Sequence, residues 1–136
     1  MKSLALLGCL MGTMLLLFSV RADALDCNNA MTQADMNTCA SNDFGKADAE
    51  LNTDYQQMLK RLGDSPEQTE LFKTAQRAWL KFRDTECDFQ GSGVEGGSAH
   101  PMIINSCMTR LTTGRVSDLK YYLTCEEGDL SCPRHP

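Results

Sequence analysis

Histidine, tryptophan and proline are scarce in this chain of 136 residues, which holds two, one and four of them. The histidines are His100, in a glycine-rich segment, and His135, beside the C-terminal Pro136. No Ser-His or Cys-His pairing is visible around either, so a nucleophile with its base is not indicated. No Cys-x-x-Cys pair is present, which removes a thioredoxin-type redox centre and a zinc ribbon. No period-two alternation of any length occurs, so there is no strand from which to build a sheet. The glycine-rich segment 91–101 follows a helical pattern and not a strand, and so is not a phosphate cradle. Basic residues are in the minority, 13 against 18 acidic, which argues against nucleic acid and anionic membrane surfaces as partners.

What is present begins with a leader. Lys2 precedes the apolar run "LALLGCLMGTMLLLFSV", and "RADA" places Ala22 and Ala24 at the small positions a signal peptidase requires. Residues 1–24 are expected to be a secretory signal, cleaved after Ala24, that delivers the chain to a bacterial periplasm or the outside. Cleavage takes Lys2, Arg21 and Asp23 with it and moves the formal net charge from −5 to −6. No membrane insertion is expected after cleavage. Of seven cysteines, Cys9 leaves with the leader, and Cys27, Cys39, Cys87, Cys107, Cys125 and Cys132 remain. An even number in an exported chain implies a disulfide framework, with fifteen connectivities open.

The remaining chain is all helical in pattern. Thr32 with Asp35 marks an N-terminus. Apolar residues then recur at Met36, Ala40, Phe44, Ala47, Leu51, Tyr55, Met58 and Leu62, one narrow stripe at steps of three and four. "SNDFG" at 41–45 is rich in poor helix formers and predicts a break or kink. Gly63 stops this helix, and Asp64 or Ser65 with Pro66 starts the next. The second helix, running to about Gln90, carries Phe72, Ala75, Trp79, Phe82 and Glu86 on one face, broadened by Leu71 and Ala78. A third helix after the 91–101 loop carries Ile104, Met108, Leu111, Arg115, Leu119 and Tyr122. The fold expected is an antiparallel helical hairpin closed by a third helix and stapled by disulfides, over residues 25–123. A short acidic tail, 124–136, follows.

Hairpin geometry bears on the bridges. Cys39 and Cys87 lie equally far from Gly63 on the two arms, which favours Cys39–Cys87 and leaves Cys27–Cys107 by elimination. That match requires a straight first helix. The local set, Cys27–Cys39 with Cys87–Cys107, remains open. Cys125–Cys132 is expected in either case. By the same register Trp79 falls opposite Ala47, and Arg83 comes within reach of Asp43, Asp48 or Asn52.

Three spaced motifs resemble the LprI-like family, the lysozyme inhibitor LprI N-terminal domain. Cys27, Ala30, Thr32, Gln33, Met36, Asn37 and Cys39 match its Cys-x-x-Ala-x-Thr-Gln-x-x-Met/Leu-Asn-x-Cys opening. Ala47, Asp48, Leu51, Asn52 and Tyr55 match a second stretch, and Gln76, Trp79, Arg83, Asp84 and Cys87 a third. The likeness runs from about Cys27 to Leu123. It implies an exported helical domain, and the family's name comes from one member's inhibition of lysozyme.

The stretch "RAWLKFRDTEC" has three readings. As an acid–base set, Asp84, Glu86 and Asp48 suffer from the adjacent Arg83, which favours ion pairing over proton transfer. No catalytic set, metal or cofactor is expected. As structure, Trp79 and Phe82 face the first helix, and Asp48, Asn52, Tyr55, Trp79, Arg83 and Asp84 lock the two arms in register. As recognition, the segments that protrude are the 91–101 loop with Glu95 and His100, and the tail with Glu126 and Glu127. The structural reading of the cluster is favoured. For the chain as a whole, the expectation is a non-enzymatic binding protein that inhibits a basic lysozyme. The alternative is an envelope stress or maintenance factor that binds another protein or a glycan.

Overall fold

A computed structural model describes residues 25–126 and 128–133. The leader, Glu127 and His135 lie outside the described residues. Three long helices carry the fold: α1 (Gln33–Leu62), α2 (Pro66–Gly91) and α3 (His100–Thr124), with short 3-10 turns at Cys27–Asn29 and Ser92–Val94.

Each helix starts and stops for a local reason. Thr32 Oγ1 accepts from the Asp35 N–H at 3.1 Å, satisfying one of the free donors of the first turn of α1. Lys60 and Arg61 occupy the last turn, and Gly63 ends the helix at φ 43°, a conformation glycine adopts without strain. Pro66 opens α2 at a position where its missing N–H costs nothing. The expected break at 41–45 does not occur; α1 is continuous through it. Ser41, Asn42, Asp43 and Gly45 all lie on the exposed side, where their poor propensity costs little against the packing of Phe44 and Ala47 on the inner side.

The closest pair is α1 and α3, which run parallel. Asn37 Nδ2 donates to the Ser98 carbonyl at 2.9 Å near the start, and Arg61 Nη1 to the Leu123 carbonyl at 3.2 Å near the end. Between them Lys120 pairs with Glu50. That hydrogen bond, opposed by a smaller desolvation effect, raises the lysine above its ordinary value. The core joins Leu51, Met58 and Leu62 of α1 to Val116 and Leu119 of α3, with Tyr55, Phe72, Trp79, Tyr122 and Leu123 packed around it. The buried face of α3 is Cys107, Thr112, Val116 and Leu119. Of the stripe expected there, Leu119 is fully buried, while Ile104, Met108, Leu111, Arg115 and Tyr122 are half-buried on its flanks.

Helix α2 runs antiparallel to both and leans on α3 more than on α1. Its buried residues are Gln76, Arg83, Cys87 and Gly91, so its inner face is largely polar. Gly91 is where α2 turns against α3: a Cβ there would collide with Ile104 Cδ1. This placement overturns the favoured bridges. The disulfides are Cys27–Cys39, Cys87–Cys107 and Cys125–Cys132, not Cys39–Cys87 and Cys27–Cys107. Equal distance from the turn pairs two cysteines only if the arms stay in contact along their length. Here α2 diverges from α1 toward α3, bringing Cys87 to Cys107, while the Cys27–Asn29 turn folds back on α1. Closing loops of 12, 20 and 7 residues, the bridges each contribute about 2–4 kcal/mol.

Non-reducing peptide mapping should recover a Cys87 peptide linked to Cys107 and none linked to Cys39. Leu119→Ala, which empties a site with no solvent exposure, should cost about 2–5 kcal/mol in denaturant unfolding.

Candidate functional site

Where α2 passes α1, one arginine organises the contact. Arg83 is 8 % exposed. Its Nη2 lies 2.9 Å from Asp84 Oδ1, its Nε donates to the same oxygen at 3.0 Å, and its Nη1 reaches Asp48 Oδ1 of α1 at 3.3 Å. Nη1 also donates to Thr112 Oγ1 of α3 at 3.4 Å. The guanidinium lies 5.3 Å from the ring centroids of both Phe44 and Trp79. A buried guanidinium left alone would cost several kcal/mol. Here two carboxylates, a hydroxyl and two aromatic rings compensate it, the rings by cation–π attraction. The second oxygen of Asp48 accepts from Asn52 Nδ2 at 3.0 Å, which holds the carboxylate on its arginine. One turn along, Tyr55 stacks on Phe72 at 5.2 Å.

Asp48, Asn52, Tyr55, Trp79, Arg83 and Asp84 are thus all drawn to the α1–α2 contact. Phe82 is not: it is 53 % exposed, on the far side of α2. Helical spacing puts Phe82 near Trp79, but the inner face of α2 centres on Gln76, Arg83 and Cys87, and Phe82 falls outside it. Three participants were either not named from the sequence or named there without this role. Thr112 is one threonine among many, Phe44 sits in the stretch expected to break, and Gln76 is the first residue of a motif otherwise notable for its tryptophan. Gln76 Oε1 accepts from Arg115 Nε at 3.0 Å, a second polar tie between α2 and α3.

Below this cluster α1 and α2 part, leaving a groove of about 200 Å³. Leu51 and Leu80 are apolar linings; Asp48, Asn52 and Tyr55 line it from α1, and Lys73, Gln76 and Arg77 from α2. A second hollow of about 270 Å³ lies nearer the α1–α2 turn, lined by Met58, Leu62, Leu71, Phe72, Ala75 and Tyr122 among others. Chemically the cluster is an ion-pair lock. Its cation is engaged by both carboxylates, and its hydroxyl, Thr112, receives the arginine's hydrogen bond.

The segments expected to protrude behave differently. Residues 91–101 are not one flexible loop: α2 runs to Gly91, a 3-10 turn spans Ser92–Val94, and His100 begins α3. His100 is half-buried, its Nε2 near the Gly91 backbone. Glu95 is exposed. The tail is tied down: Cys132 is buried, and the Tyr121 hydroxyl meets Asp129 Oδ2 at 2.6 Å. Glu126 is exposed. Glu95 and Glu126 flank opposite ends of a 25-residue helix, about 37 Å apart along its axis, so they belong to separate surfaces.

The profile of the family described as lysozyme inhibitor LprI matches residues 26–119. The chain belongs to the LprI family. All three motifs and the Arg83 cluster lie within the matched span, and the Cys125–Cys132 tail lies beyond it. The chain is 38 % identical to the uncharacterized protein R02472 of Rhizobium meliloti (strain 1021), over 75 % of this chain and 81 % of that protein. It is 29 % identical to the uncharacterized protein YecT of Escherichia coli (strain K12), over 75 % and 74 %. A crystal structure of a DUF1311 family protein of Pseudomonas putida KT2440 shares the fold. Its TM-score is 0.63 at 22 % identity, covering 71 % of this chain and 98 % of that one. LprI is a non-enzymatic inhibitor family. Among the described residues, no group of three His, Cys, Asp or Glu could hold a metal, and no helix is long and apolar enough to cross a membrane.

Arg83→Ala should destabilise the fold by about 2–3 kcal/mol, since it removes a charged hydrogen-bond network and its ring contacts together. Arg83→Lys should recover little of this, because an ammonium cannot fork to two carboxylates. Urea unfolding of both variants beside Asp84→Asn, whose half-exposed carboxylate should cost less than about 1 kcal/mol, checks the assignment.

Proposed function

We propose that this protein is exported and inhibits a lysozyme or related muramidase by binding it. The observation that carries the reading is the match of the LprI profile across residues 26–119. Two further features support it. The profile match begins just after the expected leader, 1–24. The net charge of −5, or −6 once the leader is removed, favours encounter with a basic enzyme and should do so less as salt rises. Of the contacts considered, Glu95 is the stronger candidate. It is exposed on the short connection between α2 and α3, held by the nearby Cys87–Cys107 bridge, and a contact on a rigid support loses less entropy on binding. His100 would then support this connection from the first turn of α3. Glu126 would belong to a second surface on the anchored tail.

The α1–α2 groove favours a second reading. A shallow apolar floor with Asp48, Asn52, Lys73, Gln76 and Arg77 around it suits a glycan, whose hydroxyls need donors and acceptors together. On that reading the protein is an envelope stress or maintenance factor, and lysozyme is not its target.

Titrating the purified protein into basic and acidic lysozymes at low salt distinguishes the two. Inhibition of a basic enzyme that weakens with salt, and that Glu95→Lys lowers more than Glu126→Lys, is the expected result. An absence of both binding and inhibition across lysozyme classes removes the first reading.

A further inference from the structure

The outer face of α2 carries an apolar stripe that the fold leaves uncovered. Leu71, Phe82 and Phe89 are 65, 53 and 75 % exposed, and Ala75, Ala78 and Thr85 beside them are exposed too. These six residues follow one another at alternating steps of four and three, the spacing that keeps a seam on one side of a helix facing a partner helix. From Ala78 to Phe89 the seam points away from Gln76, Arg83 and Cys87, which face the rest of the molecule; Leu71 and Ala75, at its start, stay exposed but also line the mouth of the hollow beside Met58 and Phe72. The seam contains no charged residue between Leu71 and Phe89, a run of about 27 Å along the helix.

The stripe is also complementary to itself when reversed. Leu71 and Phe89 stand equally far from position 80, as do Ala75 and Thr85, and Ala78 and Phe82. An antiparallel second copy of α2 therefore lays each Phe82 on the partner's Ala78, large on small, twice about a central axis. The small Ala75–Thr85 layers lie outside this, and Leu71 meets Phe89 at both ends. Two-fold symmetry requires that such contacts be reciprocal, and these are. A parallel copy would set Phe82 on Phe82 and alanine on alanine, a bulge beside a gap. The Cys87–Cys107 bridge holds one end of α2, so the seam is presented on a fixed helix.

We infer that α2 pairs antiparallel with α2 of a second copy, forming a two-fold dimer through Leu71, Ala75, Ala78, Phe82, Thr85 and Phe89. The area supports a modest complex. Three large exposed side chains with their small neighbours offer roughly 500 Å² per protomer, or about 1,000 Å² in all, at the lower limit for a specific interface. An interface of this size is at the limit of stability, so the dimer is to be sought at micromolar concentrations.

Sedimentation velocity on the protein purified from an exporting host, disulfides intact, over about 1–100 µM tests this. The expected result is a monomer–dimer equilibrium whose dissociation constant rises about thirtyfold or more in Phe82→Glu, with helical circular dichroism and melting preserved. Thr85→Glu, at an exposed polar site, serves if Phe82→Glu does not fold, and should weaken the dimer in the same direction. A protein that stays monomeric throughout this range overturns the proposal, as does a dimer that both substitutions leave intact. A monomer alone that captures lysozyme less well as Phe82→Glu would assign the stripe to that partner and overturn self-pairing.

Discussion

The guanidinium of Arg83 ties all three helices by polar contacts: its own, α1 through Asp48, and α3 through Thr112. Much of the arrangement depends on it. A charged group can be 8 % exposed only if its surroundings are fixed, because its compensation depends on geometry in a way that apolar burial does not. The lock therefore sets register where the hydrophobic core cannot. The α1–α3 core, from Leu51 to Leu119, holds two helices together but says little about where α2 must lie. Arg83, Gln76 with Arg115, and the Cys87–Cys107 bridge place it.

That division explains what the sequence made legible. The α1 stripe, its Thr32 cap, the Gly63 stop and the Pro66 restart are local matters of spacing and backbone chemistry, and with the register from Ile104 to Tyr122 they located all three helices. The cluster was legible as well, because Asp48, Asn52, Trp79, Arg83 and Asp84 lie in spaced motifs and an arginine near two carboxylates restricts its own possibilities. What could not be read was which helix α2 prefers. Its sequence carries two stripes, an apolar one through Leu71, Ala75, Ala78 and Phe82 and a mixed one through Phe72, Gln76, Trp79 and Arg83. The face read from periodicity, Phe72, Ala75, Trp79, Phe82 and Glu86 broadened by Leu71 and Ala78, straddles the two: Phe72 and Trp79 pack at the core's edge, while Leu71 and Phe82 stay exposed and the fold centres on Gln76, Arg83 and Cys87. The bridge assignment failed for the same reason, since equal distance from Gly63 has meaning only for arms that remain side by side.

The glycine-rich connection shows a similar limit. Five glycines and prolines in 91–101 indicate departure from a regular helix, but not how far. Gly91 is there for close approach to Ile104, and Pro101 for the first turn of α3. Both serve helices, so the irregular stretch is shorter than composition implies. A short, pinned connection offers a partner a narrower but more rigid feature than a mobile loop would, and rigidity reduces what ordering costs on binding.

A helix with a polar inner face has consequences for its outer one. Helix α2 is joined to the rest by an arginine lock, a glutamine–arginine tie, a disulfide and the packing of Phe72 and Trp79 at the core's edge, and none of these draws Phe82 or Phe89 inward. In a hairpin held by hydrophobic contact alone, the helix would rotate to bury those rings. The ionic register forbids that rotation, because turning α2 to hide Phe82 would pull Arg83 away from Asp48 and Thr112 and leave a cation without compensation. Exposure of the stripe is thus a result of the lock rather than an oversight of packing. The same interaction that orders the interior determines what the surface has to offer.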